Sequence, residues 1–114
     1  PVGLSQVNQP APPFERVAIY SPEPEAAVFG GILLVEGAMW PLNDTLVIIE
    51  LQDDKGKILM VRQLDLRGDT YIPFSTTLPY TVFEPTPARL SIRQVDDRFD
   101  ALVYLYSLLV TLNP

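Results

Sequence analysis

Apolar side chains recur along the chain in short runs, one every dozen residues or so, separated by Pro, Gly, Asp and Asn. The runs are "RVAIY" (16–20), "ILLVEGAM" (32–39), "TLVIIELQ" (45–52), "KILMVRQLDL" (57–66), "YIPFSTTL" (71–78), "ARLSIRQVD" (88–96) and "ALVYLYSLLVTL" (101–112). They are rich in β-branched and aromatic residues and bounded by turn formers, which predicts strands. In the third run Val47, Ile49 and Leu51 share one face. In the sixth, Leu90, Ile92 and Val95 approximate one face, while Ser91, Arg93 and Gln94 look outward. The step from Ile92 to Val95 breaks the period of two and predicts a bulge or a strand end there. No segment keeps a 3.6-residue period long enough for a helix. Seven short strands in a chain of this length predict an all-β fold, two antiparallel sheets packed as a β-sandwich.

The connections carry their own signals. In "LQDDKGKIL", Asp53 and Asp54 suit early turn positions and Gly56 supplies positive φ, so the flanking runs form a hairpin. Two carboxylates in a tight hairpin fall far short of the six to eight oxygens that calcium takes. In "YSPEPEAAV", Pro22 and Pro24 lack backbone donors and end the first strand after Tyr20. Glu23 and Glu25 therefore fall on a solvated turn. A pair of working carboxylates would need one cleft and a hydrophobic wall to raise one pKa. Residues 1–15, with Pro10, Pro12 and Pro13, read as a proline-rich linker, leaving 16–114 as the domain. The opening at Pro1, with no basic start and apolar core behind it, reads as a piece of something longer without a signal peptide.

The last run is unusual. Leu102, Tyr104, Tyr106, Leu108 and Val110 alternate onto one face, and Val103, Leu105, Ser107, Leu109 and Thr111 onto the other. Both faces are largely apolar, as in a strand covered on both sides. The outer face of a sheet in a two-layer sandwich should be wet, so a cover is expected: the N-terminal segment, a second copy or a neighbouring domain.

Composition narrows the chemistry. The 114 residues carry a net charge of −6, and their eight Lys and Arg are scattered, which argues against a nucleic-acid partner. There is no His and no Cys, which removes Ser–His and Cys–His catalysis and zinc sites. The longest apolar run is well short of the ~20 residues of a membrane helix. The acidic loop "QVDDRFD" makes Asp96, Asp97 and Asp100 weak calcium candidates, against the simpler reading of a solvated turn part-neutralised by Arg98. Among the aromatics, Phe74 reads as core. Trp40, with Tyr104 and Tyr106, reads as a candidate binding set.

The order "YSPEPEAAV", "LLVEGAM", "VIIELQDDKGKIL", "YIPFSTTLPY", "ARLSIRQVDD" resembles the Gmad2 family over about residues 17 to 112. These are immunoglobulin-like domains of bacterial spore-germination and related cell-envelope proteins. The matching features are Ser21–Pro22, the step from Val35 to Ala38, the hairpin from Asp54 to Lys57, Pro73–Phe74 and the closing strand. "DDRFDA" departs by lacking the glycine the family often has before its last strand. The resemblance implies an immunoglobulin-like β-sandwich of about seven strands. It also implies an extracytoplasmic, non-enzymatic accessory module that uses no cofactor and contacts a protein partner or neighbouring domain. Separately, the two apolar faces of the last strand predict a contact through it, a homodimer among the options. The alternative is a carbohydrate-binding module using exposed aromatics, Trp40 first among them.

Overall fold

A computed structural model describes residues 16–96 and 98–114. The expected linker over 1–15 lies outside the described residues, as does Asp97. Eight strands follow in order: β1 (Val17–Ser21), β2 (Ala27–Val28), β3 (Ile32–Met39), β4 (Val47–Asp53), β5 (Ile58–Leu64), β6 (Ile72–Pro79), β7 (Thr86–Asp96) and β8 (Ala101–Leu112). The described residues contain no helix.

The strands form two sheets, β1-β3-β6 and β2-β8-β7-β4-β5. Alternation points Leu33, Val35 and Met39 of β3 inward, with Val17, Phe74 and Leu78 from its neighbours. They meet Val47, Ile49 and Leu51 of β4, Leu90 and Ile92 of β7, and Leu108, Val110 and Leu112 of β8 in one apolar cluster. This is the layered β-sandwich the pattern predicts. Complete burial of each of these aliphatic side chains contributes about 1.5–3 kcal/mol before entropy is counted.

Two details differ from the expectation. The described residues form eight strands rather than about seven, because β2 is too short to leave a pattern. It is also not antiparallel: it runs parallel to the end of β8, with Glu25, Thr111 and Asn113 donating in turn to the carbonyls of Leu109, Ala26 and Val28. The chain thus crosses from one sheet to the other between Ser21 and Ala27. Glu23 and Glu25 are exposed on that crossing, where Ala26 N donates to Glu23 O at 3.1 Å.

The bulge near Ile92 is real, but it lies on the partner strand. Ile92 faces Tyr106 and Arg93 faces Tyr104, so Leu105 of β8 is the extra residue. Strand β7 keeps its period of two throughout. Gln94, expected outside, is therefore inside and fully buried, and Val95 is not on the Leu90–Ile92 face. The same bulge divides β8. Tyr106 points inward with Leu108 and Val110, whereas Leu102 and Tyr104 point outward, so the single face expected for all five does not exist.

The hairpin behaves as its residues dictate. Asp53 Oδ1 accepts from the backbone N–H of Lys57 (2.8 Å) and Lys55 (2.9 Å), and Gly56 has φ 84°. These bonds, Lys57 first, hold the Asp53 carboxyl below its ordinary 3.8.

Candidate functional site on the five-stranded sheet

The outer face of the five-stranded sheet is built from alternate residues of four strands. Ile48, Glu50 and Gln52 come from β4, Ser91 and Arg93 from β7, Ile58 and Val61 from β5, and Leu102, Tyr104 and Leu109 from β8. In the middle Arg93 Nε donates to Glu50 Oε1 at 3.0 Å. Glu50 is only 6% exposed and Ser91 is buried beside it, which is dry for the outer side of a two-layer fold. A hydrogen-bonded pair neutralises its own charge there, whereas either partner alone would be an expensive buried ion. Around this pair Tyr104 is 62% exposed, and Leu102, Leu109 and Val61 are also open to solvent. The arrangement is a broad apolar rim about a neutralised centre. It offers contact area and hydrogen-bonding groups.

The sequence-predicted binding residues separate in space. Tyr104 lies on this face opposite Arg93. Tyr106 packs into the core side of the same strand. Trp40 stands at the far end of β3, half-buried, its ring edge-on to Tyr71 with centroids 5.6 Å apart and planes at 72°. Its backbone is held as well: Trp40 N donates to Arg16 O at 2.7 Å, and Arg16 Nη1 reaches the carbonyls of Trp40 and Pro41.

In the β7–β8 loop Asp96 turns back on its own chain. Its Oδ1 accepts from Arg98 Nε and from the Arg98 backbone N–H, both at 3.1 Å, and its Oδ2 from Arg98 Nη2 at 3.0 Å. The Arg98 side chain is the main reason this carboxyl sits below its ordinary value, against the opposing effect of burial. Arg98 also lies over the Phe99 ring at 5.2 Å. Asp100 is exposed, with φ 51°. Among the described residues no three acidic side chains stand together in a way that could hold a metal ion.

One polar residue with a large structural role was missed. Gln94 Oε1 accepts from Leu42 N at 2.7 Å, and its Nε2 donates to Asn43 O at 3.2 Å and Thr45 O at 3.0 Å. Asn43 Nδ2 returns a bond to Val95 O. The side chain pins the β3–β4 loop to β7. The signal was available: 88, 90, 92 and 94 fall on one parity, and a glutamine on the apolar parity of a central strand must be hydrogen-bonded to be tolerated.

No protein-family model matches the chain, and no curated protein matches it.

Proposed function

We propose that the chain is a non-enzymatic interaction module, an immunoglobulin-like domain whose five-stranded sheet contacts a protein partner or neighbouring domain. The observation that carries this reading is the apolar rim of Leu102, Tyr104, Leu109 and Val61 around the buried Glu50–Arg93 pair. Contact surfaces combine exposed aromatic and aliphatic anchors with fixed polar groups, and an open apolar face on a stable sheet is a legitimate pointer to one. The division of β1 and β2 between the two sheets, with β8-β7-β4-β5 in series, is in keeping with an immunoglobulin-like arrangement. The resemblance to the Gmad2 family extends the reading to an accessory domain of a bacterial envelope or secreted protein, outside the cytoplasm. A homodimer through β8 is one form the contact takes.

The test places a photo-crosslinking amino acid at position 104, with position 77 on the other sheet as control. Discrete adducts at 104 that disappear in Leu109→Lys are expected. Adducts that appear equally at 77 would count against the reading. Glycan-array binding that is abolished by Trp40→Ala, with no adduct at 104, would replace it with carbohydrate binding.

A further inference from the structure

Among the described residues the three-stranded sheet lacks a strand beside half of β3. Tyr80 N donates to Gly31 O at 2.9 Å, which sets Gly31 and Tyr80 as a hydrogen-bonded pair. In an antiparallel ladder the bonded residues alternate, so the odd residues of β3 turn their backbone groups toward β6 and the even ones away from it. On the other side Trp40 N donates to Arg16 O, in the same register as the β1 ladder. Even residues therefore bond to β1. That ladder stops where Ser21 meets Glu36, because the chain then leaves for the other sheet as β2. Ile32 and Leu34 are left with N–H and C=O groups aimed where no described strand lies. Among the described residues only Ser21 Oγ reaches them, donating to Leu34 O at 3.5 Å.

The opposite margin of the sheet is treated differently. On β6, residues 73, 75, 77 and 79 present their backbone to the outer edge. Pro73 and Pro79 have no N–H to offer, and Thr77 O is taken by Arg62 Nη2 at 2.8 Å. Prolines and capped carbonyls are how exposed edges are kept from recruiting strands. The bare half of β3 carries no proline, and its capped carbonyl, Leu34 O, is held only by the long bond from Ser21 Oγ.

Beside it lies a cleft of about 480 Å³, walled by Val28 of β2 on one side and by Leu33 and Leu34 on the other, with Glu23 at its rim. Tyr20, Phe29, Ile32 and Leu34 are all more than 40% exposed around it. No basic residue lines it, and Glu36 stands exposed where the β1 ladder ends. From these features we infer that the cleft takes an extended polypeptide segment as an added strand beside Ile32 and Leu34. The segment carries alternating apolar side chains and Lys or Arg at its ends, facing Glu23 and Glu36. Backbone bonds supply affinity in this mode and alternate side chains supply selectivity. A second copy is a poor occupant, since each chain has a net charge of −6 and its basic residues are scattered. The added strand joins the three-stranded sheet, away from the outer face of the five-stranded one, and does not depend on the proposed contact there.

Amide hydrogen exchange on the full 114-residue chain tests the inference, with the peptides KVTVTK and EVTVTE as probes. In the free chain the Ile32 and Leu34 amides are expected to exchange quickly. With saturating KVTVTK they slow by at least about tenfold, as newly bonded amides do, and EVTVTE leaves them unchanged. Leu34→Pro removes one donor on the bare side without touching the ladder to β6, and weakens KVTVTK binding by about tenfold or more. If that variant does not fold, Glu23→Lys with Glu36→Lys serves instead, and the preference shifts to EVTVTE. Three results overturn the inference: no binding of KVTVTK, equal binding of both peptides, or amides already protected in the free chain. Protection that vanishes on removing residues 1–15 would assign the cleft to the chain's own N-terminus.

Discussion

The two halves of β3 are continuous in sequence and share one alternation, yet they live in different surroundings. Residues 36–39 lie between β1 and β6, whereas residues 32–35 have β6 alone. In the locked half the backbones approach so closely that a Cβ on Gly37 would sit 2.2 Å from Ala18 O. In the open half Ile32 is 57% and Leu34 is 42% exposed. What separates them is where the neighbouring strand departs, at the crossing through Pro22 and Pro24. One strand can thus serve as core scaffold at one end and as an open edge at the other.

The largest expected effect breaks the locked half. Gly37→Ala drives a methyl into backbone that has no rotamer to yield, and costs about 3 kcal/mol by denaturant unfolding. Leu34→Ala in the open half is expected to change stability by only about 0.5 kcal/mol. Equal losses at the two positions would erase the distinction. Next comes the loop that continues the locked half. Gln94→Ala leaves the half-buried Leu42 N–H and the carbonyls of Asn43 and Thr45 without their partner, and costs about 2 kcal/mol. A loss below about 0.5 kcal/mol would mean water replaces the side chain.

A smaller effect sharpens the contrast with β6. Pro73→Val with Pro79→Val restores two edge N–H groups, and is expected to leave the unfolding midpoint nearly unchanged while raising self-association by light scattering. A strictly monomeric variant would show that the prolines do not guard that edge. The smallest effect is in acid. Asp53 and Asp96 both titrate below 3.8 in the folded chain, so their stabilisation is complete above that pH and is lost as pH falls beneath it. Asp53→Asn and Asp96→Asn should each flatten the acid limb of the stability profile and leave the neutral region little altered. An unchanged acid limb would count against both turns.

Much of the layering was readable in advance because alternation is a local property. The bounds of β3 and β8 coincide with their apolar runs, and Val47, Ile49 and Leu51 face the core as their spacing requires. Less of the candidate site was readable. Tyr104 and Tyr106 have the spacing of neighbours on one face, and they diverge because Leu105 is unmatched on β7. A bulge is a property of two strands together, so neither run announces which one bears the extra residue. Gln94 turns inward for the same reason: the break near Ile92 belongs to β8, and the alternation of β7 continues to Asp96. Strand β2 leaves no mark in the sequence because two residues have no period; parallel pairing with β8 alone defines it.

The amino-acid sequence by itself determined the extended segments, the turns between them and most of the side chains that make the core. It also ruled out histidine and cysteine chemistry, since those residues are absent. Tertiary structure alone decided which margin of each sheet is closed. Pro73 and Pro79 acquire their role only because β6 is an edge, and Ile32 and Leu34 theirs only because β1 leaves before reaching them. Backbone hydrogen bonds are the physical reason: every residue but proline carries the same two groups, so the side-chain pattern is silent about which of them find a partner.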